Sequence, residues 1–172
     1  HEPYERVPGV FDSIYRVRGN KDDQLFFRAR VAHLDAQVGR MVNALKKKGL
    51  YDNTLILFTS DNGAIHEGSP GPFKGGKTDL HEGGLRVPFI AVWKGKIIPF
   101  SLNQSVVHHA DILPTICDYL GIDINKNSLD GHSMRASFSG EYKRRPTAMF
   151  FQLDKYAFFQ GHGPRPQPHI TT

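Results

Sequence analysis

The chain settles into a regular pattern at Asp22. Beyond it Leu34, Val38, Met41, Val42 and Leu45 recur at i, i+4, i+7, i+8 and i+11, the spacing that gathers apolar side chains on one helical face. This predicts an amphipathic helix of about 25 residues. It is closed by Lys46, Lys47, Lys48 and then Gly49, residue types that suit a helix C-terminus. Asp52-Asn53 reads as a turn. Thr54-Leu55-Ile56-Leu57-Phe58-Thr59 follows as an unbroken β-prone run, the pattern of a central parallel strand covered on both faces. Val87 to Trp93 predicts a second strand, Asp111 to Leu120 a short helix ended by Gly121, and Ala148-Met149-Phe150-Phe151 another short strand. Residues 1 to 20, with Pro3, Pro8, Gly9 and Gly19 and no clean period, read as a loop with a short helical turn. The Pro-rich end from Gly161 reads as a poorly ordered tail.

The first strand stops abruptly at Ser60-Asp61-Asn62-Gly63, so polar groups fall just past the carboxyl end of a strand, where open α/β sheets bind ligands. Asp61 and Asn62 set a carboxylate and an amide oxygen side by side on a turn closed by Gly63, a donor pair suited to a hard cation such as calcium. An Asx turn that merely ends a strand would use the same residues. Residues 63 to 86 then hold seven of the 17 glycines and two prolines, which predicts a long functional loop. Within the string from Gly71 to Pro88, glycine-flanked Lys77 can approach an anion closely. Glu82-Gly83-Gly84 followed by Arg86 allows a buried carboxylate–guanidinium pair to brace the loop.

Composition changes this picture little. At 172 residues, 39% hydrophobic and 23% charged, the chain fits a globular domain and excludes a disordered, collagenous or coiled-coil one. No run approaches the roughly 18 apolar residues of a membrane span, and the first residues do not form a secretory signal. The net charge of +5, with Lys46-Lys47-Lys48 and Lys143-Arg144-Arg145 as its densest runs, reads as solvated surface that also attracts anions. No nucleic-acid motif is present. Cys117, the one cysteine, sits in an apolar helical context and reads as a buried thiol.

The string Thr59-Ser60-Asp61-Asn62-Gly63, about fifteen residues, then Gly75-Gly76-Lys77-Thr78-Asp79-Leu80-His81-Glu82-Gly83-Gly84-Leu85-Arg86-Val87-Pro88 resembles the C-terminal half of the arylsulfatase family in the alkaline phosphatase superfamily. His108-His109-Ala110-Asp111-Ile112-Leu113-Pro114-Thr115, Leu120-Gly121-Ile122 and Asp130-Gly131-His132-Ser133 follow the family order, and the resemblance covers roughly residues 1 to 152. It implies part of an α/β/α sandwich with a mostly parallel central sheet over residues 1–135, and the start of a smaller C-terminal subdomain or a divergent tail over 136–172. It also implies hydrolysis of aryl or carbohydrate sulfate esters by a formylglycine nucleophile, made from cysteine in a Cys-x-Pro-x-Arg motif and activated by one calcium ion. Carried over by position, Asp61 and Asn62 would be calcium ligands, Lys77 would contact the sulfate or the leaving-group oxygen, and His1 of His1-Glu2-Pro3 would be a sulfate-facing histidine. Export to a periplasmic, secreted or lysosomal compartment is implied too.

The sequence departs from the family pattern in three places. Cys117 lacks the proline and arginine of the formylglycine motif, so the nucleophile belongs to an N-terminal half outside these residues, and the 172 residues alone should not turn over a sulfate ester. His81 stands where the family usually has tyrosine or phenylalanine, either as a tolerated ring or as a substrate contact beside His66, Glu67 and Ser69 of the same loop. Residues after Gln152 do not follow the family's terminal hairpins. Two alternatives stay open: a phosphonate or phosphate ester hydrolase of the same superfamily, against which Asn62 rather than a zinc-binding histidine argues, and a basic module that binds polyanions without catalysis.

Overall fold

A computed structural model describes residues 23–65, 68–125 and 128–153. The His1 assignment, the loop residues His66 and Glu67, and the tail after Leu153 lie outside the described residues. The chain parts into two compact units. One runs to Ser60 and resumes over Pro88–Ala148; the other takes Asp61–Val87 and the chain from Met149.

In the first unit, helix α1 spans Asp23–Lys47. It stops as its sequence requires: Gly49 takes a left-handed φ of 68°, and the amides of Gly49 and Leu50 bond back to Lys46 O at 3.0 Å and Leu45 O at 2.9 Å. This double bond pattern satisfies carbonyls that would otherwise be orphaned at the helix end. The chain then makes a 3₁₀ turn at Tyr51–Asn53, with the Lys46 ammonium 5.0 Å over the Tyr51 ring. The apolar stripe of α1 is only partly covered among the described residues, since Leu34 and Met41 remain about half exposed.

Strand β1 spans Ile56–Thr59 and strand β2 spans Phe89–Val92. They pair antiparallel, with Ile56 opposite Val92 and Thr59 opposite Phe89. This pair therefore gives the expected parallel, doubly covered β1 no support among the described residues. The segment between the strands is a returning loop rather than a crossover of the kind parallel neighbours need, and all four β1 residues are half-buried. These are the only two strands among the described residues, and the expected strand at Ala148–Phe151 is not formed there. Lys94, just past β2, pairs with Asp52 at 2.6 Å.

Helix α3 spans Ile112–Leu120 and ends on Gly121 at φ 67°, with Ile122 N bonded to Cys117 O at 2.9 Å. It repeats the α1 terminator. The short helix α4, Arg135–Phe138, lies beyond it, and α2 is the four-residue turn Glu82–Leu85 of the second unit. Trp93, Tyr119, Phe138 and Phe89 join β2, α3 and α4 through ring centroids 5.4 to 6.5 Å apart, the tilted and offset separations that aromatic pairs favour. Cys117 is buried, as its apolar context predicts.

At the centre of this unit lies a charge. Asp111 is fully buried, and the Arg145 side chain is only 9% exposed. One Asp111 oxygen accepts from His132 N at 2.9 Å, the other from His108 N at 2.8 Å and from the Arg145 guanidinium. Burial alone would push this carboxyl up, but the Arg145 hydrogen bond and the two backbone donors outweigh it and hold it below its ordinary value. Thr115 continues the network, donating to Asp111 O at 2.6 Å and accepting from Met134 N at 3.0 Å. Gly131 fits here because a Cβ would lie 2.0 Å from Ala110 O. Two short motifs and a remote arginine are thus pinned to one carboxylate.

Candidate active-site loop

The second unit holds Asp61, Asn62, Lys77 and His81, four of the residues that the sequence marks for chemistry. Asp61 is exposed, Asn62 half-buried and Gly63 buried. The corner is tied to the downstream loop through main chain: Gly63 N donates to Gly84 O at 3.0 Å, Lys77 N to Ala64 O at 2.8 Å, and Gly83 N to Lys74 O at 2.8 Å. The sequence permits such close strands of loop only because side chains are absent where they meet. A Cβ on Gly63 would lie 2.0 Å from Gly83 O, and one on Gly84 would lie 2.1 Å from Asp79 O. Glycine serves here for close approach more than for flexibility. The Asp61-Asn62 corner and the Lys77 loop are therefore one packed body, which spacing alone could not establish.

Lys77 is half-buried in this body. The next residue, Thr78, has φ 69°, a left-handed conformation that costs a β-branched residue about 1–3 kcal/mol and tends to persist where surrounding structure fixes it for function. Asp79 follows, and its Oδ1 accepts from His81 N at 3.2 Å and meets His81 Nδ1 at 2.5 Å. His81 stands at the N-cap position of the turn Glu82–Leu85, and Arg86 just past its end reaches Glu82 at 2.8 Å. That pair forms as the sequence suggests but is not buried, since its side chains are 58% and 60% exposed. Arg86 is instead braced over the Phe73 ring at 4.6 Å, an interaction the sequence reading missed. Ser69 closes a local turn by accepting from Gly71 N at 3.1 Å.

Asp61 and Asn62 supply two oxygen donors, the chemistry that calcium prefers, but six to eight are the norm. Among the described residues no group of three or more His, Cys, Asp or Glu is arranged to hold a metal. On their own these two donors fall short of a calcium site. Two features escaped the sequence reading. Asp79 could have been suspected from its place two residues before His81 in a turn. The Asp111–Arg145 pair, 34 positions apart, gave no local signal.

In the second unit, then, a glycine-packed loop joins an Asp-Asn corner to a lysine. The sulfatase family matches residues 14–122, and the chain belongs to that family. It is 41% identical over 112 residues to the uncharacterized sulfatase YdeN of Escherichia coli, covering 63% of this chain and 20% of that protein. To human arylsulfatase A it is 32% identical over 156 residues, covering 88% of this chain and 29% of the relative. Among solved structures it is similar to Ps i-CgsB in complex with a neocarrahexaose, with a TM-score of 0.72, 32% identity, and coverage of 80% of this chain and 32% of that one. A second is the PsFucS1 sulfatase from Pseudoalteromonas, with a TM-score of 0.62, 34% identity, and coverage of 70% and 26%. The chain thus spans less than a third of the length of these relatives.

Proposed function

We propose that this chain forms part of the substrate pocket of a calcium-dependent, formylglycine-type sulfatase that hydrolyses aryl or carbohydrate sulfate esters in an exported compartment. The observation that carries the reading is the main-chain tie between Gly63 and Gly84 and between Ala64 and Lys77, which makes the acidic corner and the lysine loop a single body. Asp61 and Asn62 would supply two of the calcium ligands. Lys77 would hold the sulfate or the leaving-group oxygen, His81 would contact the substrate, and His1 would face the sulfate. When bound, calcium supplies charge stabilisation for the anion and acidifies the nucleophile. The chain's own contribution would be the ammonium of Lys77, meeting an anion that gathers charge as the ester bond breaks.

No Cys-x-Pro-x-Arg segment occurs in the 172 residues, so the nucleophile would come from an N-terminal half of the catalytic domain. The partly uncovered α1 face, with Val31, Leu34 and Met41 each about half exposed, is suited to pack against such a partner segment. The test joins this chain to a segment bearing the cysteine motif and measures sulfate release from 4-nitrophenyl sulfate and from sugar sulfates. Lys77→Ala should reduce release by at least about a hundredfold, the scale of losing one charge-stabilising donor. Unchanged kinetics would remove Lys77 from the site. Calcium should raise the Tm of this protein and fail to do so for Asp61→Ala.

A further inference from the structure

The sequence shows an unusual ring before Glu82-Gly83-Gly84; the structure shows what holds it. Asp79 Oδ1 engages His81 twice, at the backbone amide and at Nδ1. The pair is seated against Gly75, where a Cβ would lie 2.8 Å from Asp79 Oδ2 and 3.0 Å from His81 Cβ. Gly75 itself has φ 84°, so the left-handed backbone and the missing side chain together make room for the pair. A carboxylate only accepts, so Nδ1 facing it carries a proton, and Nε2 is left as the ring's second hydrogen-bonding atom. The His81 side chain is 50% exposed. It stands four residues from Lys77 in the same packed body, and the left-handed Thr78 turns the chain between them.

We propose that Asp79 is a positioning residue that fixes the His81 ring so that Nε2 forms a hydrogen bond with a substrate hydroxyl near the sulfate, which biases the site toward saccharide sulfates over plain aryl sulfates. The proposal rests on the sulfatase reading above and adds its substrate class. A phenylalanine at this position would fill a similar volume but could form no such bond. An oriented polar atom left without its hydroxyl carries the asymmetric penalty that makes hydrogen-bonding sites selective.

The test uses the active sulfatase that contains this chain. The readout is the ratio of kcat/KM on a monosaccharide sulfate to kcat/KM on 4-nitrophenyl sulfate, for the unmodified protein, His81→Phe, Asp79→Asn and Asp79→Glu. His81→Phe and Asp79→Asn should each lower the ratio about tenfold, one side-chain hydrogen bond, and Asp79→Glu should restore part of it. In parallel, the ¹⁵N shifts of the His81 ring should report the Nδ1–H tautomer in the unmodified protein and its loss in Asp79→Asn. Equal losses on both substrates, or an unchanged ratio, would overturn the proposal while leaving the sulfatase reading intact. Failure of the unmodified protein to release sulfate from either substrate would overturn the sulfatase reading and the proposal with it, whatever the tautomer.

Discussion

The buried pair between Asp111 and Arg145 offers the sharpest test of how the first unit holds together. Replacing Asp111 by alanine leaves a guanidinium that is 9% exposed without its counter-charge and strips the amides of His108 and His132 of their acceptor. Breaking a buried pair from one side costs about 3–5 kcal/mol, and each orphaned buried donor adds about 1–3 kcal/mol where water cannot reach it. Against a total stability of about 5–15 kcal/mol for a domain, Asp111→Ala should lower the urea midpoint steeply or abolish cooperative folding. Arg145→Met should cost about 3–5 kcal/mol for the mirror reason. The double variant Asp111→Leu/Arg145→Met should lose well under the sum of the two, because neither charge is then stranded. Additive losses, or a single-variant loss below about 1 kcal/mol, would refute the idea that the carboxylate organises this unit.

The pH dependence follows with a definite sign. The folded-state pKa of Asp111 is lowered, so its contribution is fully present above the unfolded value of about 3.9 and is lost as pH falls through the lower folded value. Acid unfolding monitored from pH 5 downward should lose this component in Asp111→Asn, which has no carboxyl to protonate.

Four further expectations concern separate parts of the chain. Gly84→Ala should destabilise the loop unit by about 2 kcal/mol or more through overpacking, seen as faster proteolysis between Gly63 and Arg86. Gly39→Ala, in α1 with nothing within 4 Å of the added methyl, should instead stabilise by about 0.5–1 kcal/mol and serves as the matched control. Thr115→Val should cost about 1–3 kcal/mol by leaving Met134 N without its acceptor, read as a shift in Tm, and Cys117, 6% exposed, should react with thiol reagents only in denaturant.

What the sequence reveals and what it hides divide by range. Both main helix ends are legible, because Gly49 and Gly121 act within one turn of the residues whose carbonyls they satisfy. The first strand and the acidic corner are legible for the same reason. The strand's direction is not: Thr54 to Thr59 reads as parallel from composition alone, whereas pairing depends on where Phe89 returns after a loop of about thirty residues. The Glu82–Arg86 pair is correctly placed by its i, i+4 spacing, but spacing carries no information about burial. Asp111 looks like an ordinary helix-start residue until Arg145, His108 and His132 are seen converging on it. Lys77 and the Asp61-Asn62 corner are recognisable as motifs, and only the main-chain bonds between them show that they form one object.

The loop's shape is therefore carried mostly by amides, carbonyls and bare α-carbons. Asp79 adds one side-chain tie, to His81 N, so exchanging His81 should alter what the loop presents without recasting it, and an exchange at Asp79 should keep an acceptor there. A chemist wishing to redirect this site toward other anionic esters would vary those two positions and leave Gly63, Gly83 and Gly84 untouched, treating the glycines as the mould and the side chains as replaceable inserts.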